Sequence, residues 1–524
     1  MARPEGTSNH SGTMTQRGAI ARFLDLVERI GNRLPDQATI FIMLALATML
    51  LSWLTSALGW SIVHPVTGAK VEVFNLASKD GLQWIFGSVV TNFTGFPPLG
   101  TVLVAMIGVG IAERVGLFAA LLKALVTAVP RAAITPTIVF AGIMSNVASD
   151  AGYVILPPLA AMLYASLGRH PIAGIAAAFS GISAGFSANL MLSSLDPMLS
   201  DLTQKAAQLF DLKYEVFASC NFYFMAASVP LLVLVGWFVS DKIVEPRMGK
   251  WNQADGDGAP PVEFAPLTSV EKRGLVMAGL AILITFGAIV LLVLPEEGIL
   301  RDADRTVKPF YRSLVALIMI VFIVPGIVYG VVTRSIRSDR DATKMMSQTM
   351  AAMGGYVMIA FFAGQFIFWF GKSNLGFIIA IEGAALLKSI NLTGLPLMIG
   401  FVLVVAVFNI VMSSASAKWA ILSPVFVPMM MALGMSPEST QAFYRVGDSV
   451  TNVITPLNVY LPILLGFAHR YQRSAGLGTL IAAMLPYSIA FFIAWVVALG
   501  AWAYLGLPIG PGASLDYTMP VAAG

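Results

Sequence analysis

One cysteine, Cys220, and four histidines are all that this 524-residue chain has of the side chains that cross-link or most often hold metals. A single thiol excludes an internal disulfide and any cysteine-based metal site. His10, His64, His170 and His469 have no metal-ligand spacing. Charge is scarce as well: Asp, Glu, Lys and Arg together make 11%, against about 25% in an ordinary soluble domain. No polar stretch is long enough to bury a core of its own. The chain has no glycine-rich phosphate loop ending in Gly-Lys-Ser or Gly-Lys-Thr, and no serine with His and Asp partners in a hydrolase motif. An ATP-driven pump is therefore not expected. The formal charge of +4 is spread over loops, and no basic stripe suits nucleic acid.

What is present is apolar. Hydrophobic residues make 57% of the chain and the mean hydropathy is +0.80. Several apolar runs reach the ~18 residues that a bilayer crossing needs, so the lipid bilayer is the chain's main surrounding. Residues 1–35 are polar, hold Arg3, Arg17, Arg22, Arg29 and Arg33, and lack a short apolar region with a small-residue cleavage site. They are predicted to be a cytoplasmic tail and not a signal peptide. Spans are predicted near 38–59, 222–240, 274–294, 311–333 and 478–505, with further helices over 346–395. A first membrane half is then 36–240, followed by a flexible Gly/Asp/Pro linker at 241–273. A second half is 274–506 and an outer tail is 507–524. The basic segments 241–273 and 334–345, with His469, Arg470 and Arg473, fall on the side of the N-terminus. A mildly amphipathic piece ending in Thr91–Pro98 reads as too short and polar to span, so it lies at an interface or re-enters. Glu113-Arg114, inside the apolar run 99–129, mark a bend or a cavity wall.

Two apolar stretches are cut by small, polar and helix-breaking residues. One holds Ser145-Asn146, Ser149-Asp150, Leu156-Pro157-Pro158, Ser187, Asn189 and Asp196-Pro197. The other runs from Asn409 through Ser413, Ser414, Ser416, Lys418, Trp419, Ser423-Pro424 and Pro428 to Arg445, Asp448, Asn452, Thr455-Pro456 and Asn458. Broken backbone survives at membrane depth only against protein or a water-filled cavity. Paired interruptions of this kind mark the binding site of a secondary transporter. The stretches also look alike: Leu156-Pro157-Pro158 matches Leu422-Ser423-Pro424 at an offset of 266, and Asn189 matches Asn452 at 263. This predicts an internal repeat with two re-entrant helical hairpins and two unwound helices meeting near the midplane. Similarity alone does not separate an inverted repeat from a parallel one.

A charge at bilayer depth costs roughly 2.5–3.5 kcal/mol, so Arg445, Asp448 and Asp196 need a reason to be there. Arg445 and Asp448 are three apart, share one helix face and can neutralise each other. Alternatively, Arg445 grips an anionic substrate with its planar fork, while Asp448 or Asp196 carries the coupling proton or helps to hold Na⁺. Trp419 either packs as a membrane aromatic or contacts substrate at a hairpin tip. Ser413, Ser414 and Ser416 would cap a helix from about Trp419 and offer its backbone N–H groups to a carboxylate. Asn146, Asp150, Asn189 and Asn452 are caps of broken helices or oxygen ligands for a hard cation. Pro437 sets shape, as does Pro456. Gly181 and Gly185 have the spacing of close helix packing.

The segments Asn92-Phe-Thr-Gly-Phe-Pro-Pro-Leu-Gly100, Gly168-Arg-His-Pro171, Ser414-Ala-Ser-Ala-Lys-Trp419, Arg445-Val-Gly-Asp-Ser449 and Leu507-Pro-Ile-Gly-Pro-Gly512 resemble those of the AbgT family of bacterial p-aminobenzoyl-glutamate transporters. That family also contains exporters of sulfonamide antimetabolites. The resemblance runs from about residue 20 to about 510. It implies an all-α polytopic membrane protein, with about nine helices of bilayer length plus two re-entrant hairpins, assembled as a homodimer with a scaffold and a transport portion. The family's functional positions fall on Asp196, Ser416, Trp419, Pro437, Arg445, Asp448 and Pro456. Lys418 departs from the pattern, which has an uncharged residue there. The expectation is an inner-membrane secondary transporter, without a cofactor, driven by H⁺ or Na⁺. Its substrate would be p-aminobenzoyl-glutamate, p-aminobenzoate or a similar aromatic carboxylate, moved outward with sulfonamides or else inward. An integral-membrane enzyme on a lipid-linked substrate and a passive channel are the rivals. The repeated broken helices favour the transporter.

Overall fold

The computed structural model describes residues 35–65, 68–127, 129–148, 151–256, 267–455 and 457–518. The N-terminal tail with its arginines, Asp150, Pro456 and the middle of the 241–273 segment lie outside the described residues. In chain order the helices are α1 (Gln37–Ala57), α2 (Lys79–Thr94), α3 (Pro97–Arg114), α4 (Leu117–Thr127), α5 (Ile134–Ser145), α6 (Ala151–Ser166), α7 (Pro171–Ser183), α8 (Leu195–Ala207), α9 (Phe222–Val239), α10 (Ser269–Val293), α11 (Leu314–Val332), α12 (Asp339–Ala352), α13 (Gly354–Lys372), α14 (Leu375–Ser389), α15 (Gly394–Val411), α16 (Ala415–Ala432), α17 (Pro437–Val450), α18 (Leu461–His469) and α19 (Leu477–Tyr504). Among the described residues, nine helical stretches are long and apolar enough to cross a membrane. All five spans predicted individually coincide with such a stretch.

Three expectations need correction. The piece before Pro97 is not isolated: α2 leads directly into α3, and Lys79–Arg114 together form one 36-residue candidate span. Pro97 and Pro98 occupy the first turn of α3, where a missing N–H costs nothing, so the prolines start a second helix only two residues after the first ends. The 241–273 segment does not begin as a loose linker. After α9 the chain continues as a π-helical turn, Ser240–Val244, and a short helix, Glu245–Met248. Arg169 holds this continuation by ion pairs to Asp241 (2.6 Å) and Glu245. Finally, the fold is not helical throughout, because Ser61–Val63 (β1) and Lys70–Glu72 (β2) pair antiparallel in a small hairpin. The predicted bend at Glu113-Arg114 is where α3 stops.

Both broken stretches share one order of elements: helix, break, helix, turn, helix, break, helix. In the first, α5 is interrupted before α6, α6 turns into α7, and residues 184–194 separate α7 from α8. In the second, α15, α16, α17 and α18 follow the same course. The helices after the turns open with Pro171 and Pro437, and those after the second breaks with Leu195 and Leu461, in both cases 266 residues apart. Side chains close the broken backbone, as a dry interior demands. Thr451 and Thr455 donate to the carbonyls of Ala406 and Ile410, each at 2.9 Å. Asn458 donates to the carbonyl of Asn452 at 3.2 Å, and the Ser187 N–H reaches Ser449 Oγ at 3.2 Å.

The apolar interior falls into two main bodies. The larger unites the broken helices with α1, α9, α13 and α19. The smaller is built mainly by α3, α4, α10 and α11, drawn from both sequence halves. Gly181 lies against α5, where an added Cβ would meet the Val139 carbonyl oxygen at 2.7 Å, which is the close packing its spacing suggested. Residues beyond α19 fold back. Ile509, Leu515 and Tyr517 are buried, the Phe224 N–H donates to the Ile509 carbonyl, and the Ser436 N–H donates to the Leu515 carbonyl at 2.9 Å. The C-terminal segment thus straps the turn between α16 and α17.

The crossing of α3 and α11 depends on Gly108, whose added Cβ would sit 2.2 Å from the Met319 carbonyl oxygen, whereas one at Gly279 meets nothing within 4 Å. Gly108→Val is expected to destabilise the protein by about 1–3 kcal/mol or more. Thermal unfolding of purified protein checks this, with Gly279→Val expected to unfold near the wild-type temperature.

Candidate functional site

Helix α17 is polar in sequence yet buried at all 14 positions. Ser436 caps it, accepting the Ser439 N–H at 3.0 Å, and Pro437 fits the first turn. Such a helix is stable inside a membrane protein only if its side chains find partners on every side, and they do. Tyr214 donates to Glu438 at 2.8 Å. Gln441 accepts from Thr203 at 2.5 Å and donates to Asn221 at 2.8 Å. Gly447 allows α15 to approach, since an added Cβ would lie 2.6 Å from the Val402 carbonyl oxygen.

Arg445 and Asp448 of α17 do not neutralise each other, contrary to the local reading. Arg445 reaches across the break between α7 and α8: its Nη1 lies 2.6 Å from Asp196 Oδ1 and its Nη2 donates to the Ser187 carbonyl at 3.1 Å. The other oxygen of Asp196 accepts the Ser193 N–H at 2.7 Å and the Ser193 hydroxyl at 3.0 Å. Asp196 also lies in the first turn of α8, where the helix dipole favours a negative charge. Asp448 pairs with Lys418 on α16 at 2.5 Å and accepts from Tyr444 at 3.2 Å. Lys418 also contacts Asn409. Asn409 in turn donates to the Asp448 carbonyl (2.7 Å), Thr451 (2.9 Å) and Asn452 (2.9 Å). Four buried charges therefore form two complementary pairs, both anchored on α17. The Nε of Arg445 is buried with no hydrogen-bond partner.

The remaining predicted residues fall as follows. Trp419 is fully buried; it stacks on Tyr444 with centroids 4.4 Å apart and donates to Thr203 at 2.9 Å. In this conformation it packs. Helix α16 begins at Ala415, four residues before the predicted start, with Ser414 as its cap through the Ala417 N–H at 3.4 Å. Ser416 is half-buried in the first turn. Asn146 donates to the carbonyls of Ile143 (3.1 Å) and Ile182 (3.0 Å), while its Oδ1 has no partner. Asn189 accepts the Met191 N–H at 3.2 Å. No group of three or more His, Cys, Asp or Glu able to hold a metal occurs among the described residues.

A cavity of about 510 Å³ opens beside this site. Ser416 and Met198 line it from the first turns of α16 and α8, and Glu113, Arg114, Thr349 and Tyr356 line it from the smaller core. Two helix N-termini thus meet one cavity, a setting that favours anions. The sequence reading missed Asn409 as a hub, Thr203 and Gln441 as supports, and Asp201, whose Oδ2 is buried without a hydrogen-bond partner. Only Lys418 had a signal, as the cation that departs from the family pattern.

Comparison with known proteins is consistent with this architecture. The sequence signature of the AbgT transporter family matches residues 22–517. The p-aminobenzoyl-glutamate transport protein of Escherichia coli is 40% identical over 489 residues, covering 93% of this chain and 95% of that protein. The crystal structure of the Alcanivorax borkumensis YdaH transporter, noted for an unusual topology, superposes with a TM-score of 0.86 at 41% identity, over 91% of this chain and 100% of that one. Neisseria gonorrhoeae MtrF, which illuminates a class of antimetabolite efflux pumps, superposes with a TM-score of 0.88 at 44% identity, over 94% of this chain and 100% of that one.

Removing one partner of a buried pair leaves the other charge uncompensated, at about 3–5 kcal/mol. Lys418→Met is therefore expected to lower the unfolding temperature markedly, and adding Asp448→Asn to restore part of the loss. Thermal unfolding of the single and double variants checks whether the pair is coupled. Additive losses would show that it is not.

Proposed function

Because the chain belongs to the AbgT family of transporters, we propose that it is an ion-coupled secondary transporter of p-aminobenzoyl-glutamate, p-aminobenzoate and similar folate-related aromatic carboxylates. It sits in the bacterial inner membrane with its N-terminus in the cytoplasm, works as a homodimer, and exports these compounds together with sulfonamide antimetabolites. As a transport protein of this family it is not an enzyme. The repeated order of α5–α8 and α15–α18 supports a reading of α5–α6 and α15–α16 as re-entrant hairpins and of α7–α8 and α17–α18 as unwound helices of an inverted repeat, with the smaller core as scaffold.

The observation that carries the mechanism is the pair of buried ion pairs on α17 beside a cavity reached by two helix N-termini. The substrate carboxylate enters the cavity toward the first turns of α8 and α16, where Ser416 lies, and accepts from the unpartnered Nε of Arg445 while the pair with Asp196 is kept. The aniline N–H groups of the substrate donate to Asp448. Trp419 and Pro437 shape the pocket. Asn146, Asn189 and Asn452 hold the breaks, or serve as oxygen ligands if the ion is Na⁺. A proton and an aniline N–H compete for the same carboxylate oxygen of Asp448, and that competition gives exchange of substrate against H⁺. The Arg445–Asp196 pair favours a second reading. A substrate anion that displaces Asp196 leaves that carboxylate without its cation, so a proton binds together with substrate and travels with it, which gives import.

Flux of radiolabelled p-aminobenzoate and p-aminobenzoyl-glutamate in proteoliposomes, under separate pH and Na⁺ gradients, tests the proposal. Uphill flux driven by a pH gradient is expected, with Arg445→Ala lowering it about tenfold or more. Loss of proton dependence in Asp448→Asn supports exchange, and its loss in Asp196→Asn supports cotransport. Flux driven by Na⁺ alone replaces the coupling ion. No flux of either compound under any gradient removes the substrate assignment.

A further inference from the structure

A second cavity, of about 330 Å³, lies where the turn between α6 and α7 meets the helical continuation of α9 and the start of α19. None of the ion-paired residues of α8, α16 and α17 lines it. Its wall carries two cations, Arg247 and Lys250, against one acid, Asp255. The neighbouring acids Asp241 and Glu245 are taken by Arg169 and are absent from the wall. His170 also lines the cavity. It is only 8% exposed, and its Nδ1 is buried with no hydrogen-bond partner. It holds the N-cap position of α7 without capping the helix through its side chain. Ile172, in the first turn of α7, and Thr479, in the first turn of α19, complete this side of the wall. The positive ends of a 13-residue and a 28-residue helix therefore add to the two cations.

The surroundings place the cavity at the level of lipid headgroups. Trp237 donates to Asp241 at 2.8 Å, and Trp251 donates to the Tyr471 carbonyl at 3.3 Å. Tryptophans with a bonded indole N–H are among the side chains that collect at a membrane–water interface. Basic pockets between transmembrane helices at that depth suit phosphate headgroups, and the volume is at the lower end of the ~300–1,000 Å³ range of small-molecule sites. The cavity is built on the helical turn that replaces the expected linker, a π-helical segment of the kind often found at functional sites.

We propose that this cavity binds a phosphate-bearing anion, the headgroup of an anionic phospholipid, through Arg247, Lys250 and the N-termini of α7 and α19. A bound headgroup ties the α6–α7 turn to the start of α19, and so steadies α7 from the end opposite the Arg445–Asp196 pair. The assignment does not rest on which substrate is carried.

The test uses the full chain, purified in neutral detergent and delipidated, and follows thermal unfolding during titration. Phosphatidylglycerol, phosphatidylcholine and inorganic phosphate are added separately. Arg247 and Lys250 are exposed, so Arg247→Gln/Lys250→Gln keeps the fold, and Arg340→Gln/Lys344→Gln on α12 removes the same charge elsewhere. Phosphatidylglycerol is expected to raise the unfolding temperature of the wild type and of the α12 variant. Its apparent affinity should fall about thirtyfold in the Arg247/Lys250 variant, at ~1 kcal/mol for each cation. The same variant-sensitive rise with inorganic phosphate alone supports the anion site and assigns it to free phosphate. Equal responses of the wild type and the Arg247/Lys250 variant, or an equal response to phosphatidylcholine, overturn the proposal.

Discussion

A guanidinium, an ammonium and two carboxylates withdrawn from water each lose several kcal/mol of hydration, and an interior recovers this only through close, well-oriented pairing. Helix α17 supplies one member of each pair, Arg445 and Asp448, and the partners come from α8 and α16. Asp196 is presented in the first turn of α8, directly after the break that precedes it. Lys418 reaches Asp448 from the first turn of α16, directly after the break that follows α15. The broken helices thus carry one partner of each pair.

The same constraint separates the two bodies of the molecule. The smaller core is apolar and closely packed; at Gly108 and Gly326 backbones approach so nearly that no side chain fits. Packing of that kind tolerates little sliding, and it recurs in the larger body at Gly181 and Gly447. The larger body holds the polar contacts, which can be exchanged for contacts to a substrate or an ion without loss of packed surface. The cavity at Ser416 lies between the two bodies, lined by α3 and α12 on one side and by Met198 and Ser416 on the other.

Much of this was legible in the sequence, because long apolar runs and proline-led starts are local signals. The spans near 222–240, 274–294, 311–333 and 478–505 appear in nearly those places, and the polar breaks fall where Ser187, Asn189, Asn452 and Thr455 stand. The pairing of charges was not legible. A helix-face argument joins Arg445 to its neighbour Asp448, while its actual partner is 249 residues away. Lys418 looked like an anomaly beside the site and is instead the counterion that allows Asp448 to be buried. The short piece before Pro97 and the 241–248 segment were misread for a related reason. Prolines at a helix start and charges held by a distant Arg169 look like breakers until the partner is known.

The strap formed beyond α19 bears on the order in which the protein is made. Ser436 gives its N–H to the Leu515 carbonyl and its hydroxyl to the Ser514 carbonyl at 2.6 Å, and the Tyr517 N–H returns to the Gly434 carbonyl at 2.8 Å. These acceptors and donors leave the ribosome after every membrane helix has been synthesised. Until they arrive, the turn that starts α17 lacks these three partners, so the last dozen or so described residues complete that turn only after the rest of the membrane chain has been made.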